Sequence, residues 1–135
     1  MATWDDVRAI ADALPEVSET PERTWRVRGR AFVLERPLRV ADRAHLGDLA
    51  PVDPPMAIHV ADLGVKEALL GAEPDVYFTT PHFDGYAAVL ARLDALGTDE
   101  LREVVVDSWL CRAPRRLARA WLAEHPSPDD GYAAR

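Results

Sequence analysis

The loop around residue 82 holds the side chains whose types and spacing most resemble those of a binding site. His82, Asp84 and Tyr86 occupy alternate positions along it, with Pro81 directly before His82 and Gly85 between Asp84 and Tyr86. Proline cannot continue a β-ladder and Asp-Gly is a turn dipeptide, so these residues predict a loop between two apolar strands. Because loops anchored by a sheet often carry binding groups, we expect a site for a small anionic or aromatic molecule. The candidate ligand-binding residues are Trp25, Arg36, His82, Asp84 and Tyr86, with Arg26 or Arg36 as a clamp for an anion.

The same loop also has a purely structural interpretation. Aspartate side chains in turns commonly accept hydrogen bonds from nearby backbone amides, as in Asx turns. In that case neither His82 nor Asp84 would be needed for a ligand. The sequence leaves both interpretations open.

Charge is distributed unevenly along the chain. Residues 23–43 contain seven arginines and two acids, a net charge of +5, and residues 108–125 contain four arginines and one acid, a net charge of +3. Between them, residues 44–107 have three bases and twelve acids, a net charge of −9. The arginines predict contacts with nucleic-acid phosphates, although those of residues 112–119 also fit the solvated side of an amphipathic helix. The candidate nucleic-acid-binding residues are Arg26, Arg28, Arg30, Arg112, Arg115, Arg116 and Arg119.

The residues that could support catalysis or metal binding lack the required context. Ser108 lies within a predicted helix without a nucleophile elbow, and Cys111 has no motif around it. A metal at His82-x-Asp84 would need His59 or His45 brought close, and no cysteine pair or His-x-x-x-His spacing supports one. We therefore expect a non-enzymatic protein without a metal or cofactor.

Length and composition predict one globular domain over residues 1–125, followed by a flexible tail over residues 126–135. The chain has 135 residues, 48% of them hydrophobic, and a net charge of −7. No apolar run approaches the roughly 18 residues that a membrane span needs. The acidic start of the chain and the single cysteine predict a cytoplasmic protein without a signal peptide. We expect a monomer or a weak homodimer.

The hydrophobic patterns predict an α+β fold of two layers, an antiparallel sheet with helices mainly on one face. Helices are expected from residue 3 to Pro15, over residues 62–70, and from Thr98 onward with a break near Arg112. A further helical turn is expected over residues 41–46. Strands are expected over residues 24–27, 30–35, 56–60, 77–79 and 86–93. The predicted order is α-β(3)-α-β(2)-α.

The first two strands predict a hairpin around Arg28-Gly29. Regular pairing would place Trp25 opposite Phe32 on the core face and Arg26 opposite Ala31 on the other. Residues between the first helix and this hairpin are expected to form a connector.

With these elements in place, several segments resemble the MmcQ/YjbR family of small bacterial proteins. The resemblance extends from about Trp4 to Leu122 and implies the family's two-layer fold, related to type III secretion chaperones and the frataxin-like sheet. It also implies DNA binding, the role commonly attached to the family, while the chaperone-like fold allows a protein-interaction module. The matching segments are TWRVRGRAFV (residues 24–33), ERPL (35–38), VADL (60–63), FTTPHFDGY (78–86), LRE (101–103), Trp109 and the Ala113-Pro114 pair.

Overall fold

Five α-helices and a six-stranded antiparallel sheet make up the computed structural model, which describes residues 1–21 and 23–125. The strands lie in the spatial order β1-β2-β3-β4-β6-β5, so the predicted α+β class is confirmed. The helices are α1 (Trp4–Asp12), α2 (Val40–Leu46), α3 (Leu63–Ala72), α4 (Thr98–Arg112) and α5 (Arg115–Glu124). The strands are β1 (Val17–Thr20), β2 (Thr24–Val27), β3 (Arg30–Glu35), β4 (Met56–His59), β5 (Tyr77–Phe78) and β6 (Ala88–Ala91).

Local sequence signals set several of the helix ends. The Thr3 hydroxyl accepts the backbone N–H of Asp6, whose carboxylate accepts the N–H of Thr3 in return, forming a capping box for α1. At the start of α3, the Asp62 carboxylate provides a single cap by accepting the backbone N–H of Val65. Helix α4 ends at Arg112 because the residue before Pro114 is extended, as prolines require. The predicted break near Arg112 is therefore present.

The two faces of the sheet are covered unequally. On the first face, α1 and α4 pack over Trp25, Val33 and Ile58 in a core that contains most of the buried hydrophobic residues. On the second face, a smaller cluster forms around Ala57 and Leu90, covered by side chains from α2 and the adjoining loops. Because side chains alternate along each strand, neighbouring residues of β4 serve opposite cores.

Strand β1 and the hairpin register differ from the sequence prediction. Residues 17–20 were expected to be a connector, but they pair with β2 along its whole length. In the hairpin, Arg26 does pair with Ala31, whereas Trp25 pairs with Val33 rather than with Phe32. A β-bulge leaves Phe32 without a partner on β2, and both Phe32 and Val33 reach the first core as a result. The Trp25–Phe32 pairing was wrong for this reason.

Helix α4 is fastened to the sheet next to this bulge. The Ser108 hydroxyl, fully buried, donates to the Phe32 carbonyl at 2.5 Å and accepts the His59 backbone N–H at 2.8 Å. The ladder between β3 and β4 begins only one residue further on, at Val33 and Ile58. The hydroxyl thus satisfies two backbone groups that the strands do not satisfy between themselves.

The predicted strands at residues 77–79 and 86–93 are both shorter in the structure. Between them, a 3₁₀ turn at Pro81–Phe83 leads to Gly85, whose φ of +80° is favourable for glycine. Each helix in the described part of the chain is too short or too polar to span a lipid bilayer. The tail expected over residues 126–135 lies outside the described residues.

Candidate functional site

The hairpin and the junction of α4 with α5 form a basic corner, which we define by Arg26, Arg30, Arg112, Arg115, Arg116 and Arg119. Arg30 Nη1 donates to the Arg112 carbonyl at 3.3 Å, and Arg112 Nε donates to the Ala31 carbonyl at 3.1 Å. Two arginine clusters that are 82 positions apart in sequence are therefore in direct contact. Burial and the nearby charge of Arg30 lower the pKa of Arg112, as expected where like charges crowd.

Arg28 differs from the other arginines of the hairpin. Its guanidinium binds both carboxylate oxygens of Glu16, which raises the pKa of Arg28 and lowers that of Glu16. Arg26 instead donates to the Gly29 carbonyl at 3.1 Å. Within the described part of the chain, none of the basic-corner arginines lies within 4.0 Å of a carboxylate. Their charges are available to an anion, whereas that of Arg28 is already compensated.

Helix α5 presents the remaining arginines to solvent. Arg115, Arg116 and Arg119 are exposed, while Trp121 packs against Trp109 of α4 with ring centroids 5.8 Å apart. This aromatic contact fixes which side of α5 faces the domain.

A pocket of about 420 Å³ on the second face of the sheet brings together three of the predicted ligand-binding residues. Arg36, His82 and Tyr86 line it with His59 and Phe83. Arg36 is only partly available, because it lies over the Phe83 ring at 5.6 Å and its Nη2 is 3.7 Å from the Asp42 carboxylate.

Trp25 and Asp84 lie elsewhere. Trp25 is fully buried in the first core, stacked on Trp4 with centroids 6.2 Å apart and covered by the Arg8 guanidinium at 5.9 Å. Asp84 is exposed and does not line the pocket. A ligand in this pocket would therefore touch Arg36, His82 and Tyr86, but not the other two candidates.

Lys66 holds the His82 loop in place. Its side chain is buried, and Nζ donates to the carbonyls of Phe83 at 2.6 Å and Tyr86 at 2.9 Å. Burial lowers the pKa of Lys66, while the nearby Asp84 opposes that shift. The single lysine of the chain thus supports the loop that carries His82 and Tyr86.

On the first face, a cleft of about 1230 Å³ opens between α3 and α4, which we call the α3–α4 cleft. Sequence reasoning did not predict it. Its acidic residues are Glu73 of α3's C-terminal end and Glu100, Glu103 and Asp107 of α4. The i, i+3, i+7 spacing of the three α4 acids indicates in the sequence that they share one helix face. Only the fold shows that Glu73 lies in the same cleft.

Burial and the proximity of other acidic groups raise the pKa values of side chains in the cleft. The Tyr77 hydroxyl donates to Glu100 Oε2 at 2.6 Å, and burial followed by this contact raises the pKa of Tyr77 strongly. A hydrogen bond with Glu100 raises the pKa of Glu73, and burial with the charge of Glu103 raises that of Asp107. These carboxyl groups are arranged so that a positive charge among them would be stabilised.

The residues considered for catalysis have structural surroundings. Ser108 is fully engaged with backbone groups, and burial raises the pKa of the Cys111 thiol, which disfavours the reactive thiolate. In the described ranges, no three His, Cys, Asp or Glu side chains come together as a metal site would require.

The fold and these surfaces define a small α+β domain of a known class. A family model described as YjbR matches residues 12–111, and the chain belongs to that family. The similar proteins include Uncharacterized protein Rv2570 of Mycobacterium tuberculosis and Uncharacterized protein Mb2600 of Mycobacterium bovis. Each is 47% identical over 126 residues, covering 91% of this chain and 98% of the relative.

A solved structure has the same fold. The crystal structure of Deinococcus radiodurans protein DR2400, with domain DUF419, aligns with a TM-score of 0.64. The alignment covers 96% of this chain and 91% of that chain at 23% identity. At this identity the likeness concerns the fold alone.

Proposed function

We propose that this protein is a non-enzymatic cytoplasmic binding domain that contacts the phosphates of DNA through its basic corner. The observation that carries the proposal is the contact of Arg30 with Arg112, which joins two basic segments from opposite halves of the sequence. A net charge of −7 opposes binding by overall attraction, so the contact must be local.

The geometry of the basic corner favours phosphates over bases. Its arginines come from a hairpin tip and from a helix surface, and guanidinium groups bind phosphate oxygens in pairs. Arg115 and Arg116 follow Arg112 by only three and four residues, which limits their Cα atoms to about 15 Å from that of Arg112. A single stretch of nucleic-acid backbone spans such a distance, so we expect binding that depends on salt and little on sequence.

Fluorescence anisotropy with labelled duplex and single-stranded DNA tests the proposal. We expect the Arg115→Glu/Arg116→Glu variant to lose binding of all sequences to a similar extent, because phosphate contacts carry no base information. The matched control is Arg43→Glu/Arg102→Glu, which changes the net charge equally at exposed positions away from the basic corner. Equal loss in both variants, or no binding at low salt by the natural protein, would contradict the proposal.

A second candidate function is small-molecule binding in the pocket on the second face. It is favoured by the meeting of Arg36, His82 and Tyr86 around about 420 Å³, a volume suited to a small aromatic anion. Bound aromatic carboxylates should raise the melting temperature by mass action, and His82→Ala should abolish that rise. Asp84→Ala is the matched control, since Asp84 lies on the same loop outside the pocket. No rise with any aromatic carboxylate would exclude this candidate.

A further inference from the structure

The α3–α4 cleft exists because the helices on the first face leave part of the sheet uncovered. Helix α4 packs over β3 and β4, whereas α3 contacts β5 at the edge of the sheet. Strand β6 lies between β4 and β5, and the opening lies above this region. At about 1230 Å³ the cleft is larger than the roughly 300–1,000 Å³ typical of small-molecule pockets.

The floor and rim of the cleft are apolar. Ile58 and Val60 form part of the floor, with Leu69 from α3 and Val104 from α4 on the two walls. At the rim, Tyr86 is exposed to 64% of its surface. Val65 at the same rim is exposed to 40%. Large apolar side chains left in water around a concave surface favour a ligand with an apolar body.

Three of the four acidic residues of the cleft lie at one end of it. Glu100, Glu103 and Glu73 surround the end near Tyr77, whereas Arg112 lies about 18 Å from Glu100 along α4. Asp107 lies on α4 between these ends. Among the described residues, no arginine, lysine or histidine nitrogen lies within 4.0 Å of these four carboxylates. The acidic end therefore offers uncompensated negative charge above an apolar floor.

The arrangement of these acids suits an organic cation better than a metal ion. Metal coordination needs several oxygens around one point, and the described residues contain no such cluster. Spread along one face of α4 and onto the end of α3, the carboxylates instead match an ammonium or guanidinium group that can approach from several directions. The Tyr77 hydroxyl fixes Glu100 by its 2.6 Å hydrogen bond, which orients that carboxylate before any ligand arrives.

We propose that the α3–α4 cleft is a binding site for an organic amine, with its ammonium group among Glu73, Glu100 and Glu103 and its apolar body over Ile58 and Val60. Charge complementarity selects the cation, and the apolar floor selects an aromatic or aliphatic amine over a small hydrophilic one. The acidic end of the cleft lies at the opposite end of α4 from Arg112, which is the residue that the cleft shares with the basic corner, so the proposed amine site does not depend on DNA binding.

Isothermal titration calorimetry with probes that differ in charge tests the site. Tryptamine, phenethylamine and hexylamine supply the cation, while tryptophol and indole-3-propionate keep the indole body of tryptamine with no charge or with a negative charge. We expect at least one amine to bind, and tryptamine to bind at least about tenfold more tightly than both indole analogues. Absence of binding by all three amines up to about 10 mM, or equal binding of tryptamine and tryptophol, would overturn the proposal.

Two variants connect that binding to the acidic end. Glu100→Gln keeps an acceptor for the Tyr77 hydroxyl while removing the charge, and Glu103→Gln removes a charge at an exposed position. Each should weaken amine binding by about fivefold to tenfold, as expected for loss of one charged contact. Glu67→Gln on α3 is the matched control, because Glu67 is exposed and does not line the cleft. Unchanged affinity in both test variants, or an equal loss in the control, would place the amine elsewhere and refute the assignment.

Discussion

Replacing Ser108 with alanine removes the hydroxyl that connects α4 with β3 and β4. The side chain is fully buried and binds the Phe32 carbonyl at 2.5 Å and the His59 backbone N–H at 2.8 Å. Alanine is nearly the same size, so the main loss is the pairing of these two backbone groups. A buried polar group left unpaired costs about 1–3 kcal/mol, so we expect a total loss of about 3 kcal/mol. That is a large part of the roughly 5–15 kcal/mol that stabilises an ordinary domain.

Urea unfolding followed by tryptophan fluorescence measures this loss directly. We expect the Ser108→Ala variant to keep its unfolding slope while its midpoint falls, and its melting temperature to fall by roughly 10 °C. Ser18→Ala on β1 is the control, because Ser18 is exposed and should change stability by less than about 0.5 kcal/mol. A loss below about 1 kcal/mol for Ser108→Ala would refute the claim that this hydroxyl replaces missing ladder bonds.

Two further predictions concern the supports of the second face. Lys66→Met should lower the free energy of unfolding by about 1–3 kcal/mol, because it removes the hydrogen bonds of Lys66 to the carbonyls of Phe83 and Tyr86. It should also speed amide hydrogen exchange in the loop that carries these carbonyls. Unchanged exchange would contradict the role of Lys66 in holding the loop. Asp42→Ala should cost about 1 kcal/mol at neutral pH, since the Asp42 carboxylate accepts the Arg39 N–H at the start of α2. This contact lowers the pKa of Asp42, so its stabilising effect is present above the ordinary pKa of 3.8 and is lost as the pH falls through the folded value. Urea unfolding should therefore show the difference in stability between the two proteins shrinking as the pH falls below 3.8, and a difference that stays constant would contradict this.

Signals that act over a few residues predicted much of the fold. The caps at Thr3 and Asp62 and the break before Pro114 are local, and each lies where the sequence indicated. Strand β1 was missed because the four residues Val17–Thr20 are too few to show an alternating pattern, and the strand forms by pairing with β2. The bulge at Phe32 was missed because the alternative partner of its carbonyl, Ser108, lies 76 positions away.

The candidate sites, like the fold, could be predicted from the sequence only where neighbouring residues define them. The arginines of the basic corner were identifiable as residue types, but the contact of Arg30 with Arg112 depends on how α4 packs on the sheet. In the α3–α4 cleft, Tyr77 was assigned to a strand and Glu100 to a helix start, and only the fold brings their side chains together. Trp25 was expected on the core face of the hairpin and was also a ligand-binding candidate because it lies beside arginines, and its full burial places it in the core.

The salt dependence of DNA binding shows whether the two arginine clusters contact phosphates as one surface. The logarithm of the association constant should fall linearly with the logarithm of salt concentration for the natural protein, for Arg30→Ala, for Arg116→Ala and for the double variant. If both clusters contact phosphates in one complex, each single change should reduce the slope by about 0.9 and the double change by about 1.8. A slope that is insensitive to Arg30→Ala or to Arg116→Ala would contradict a shared surface.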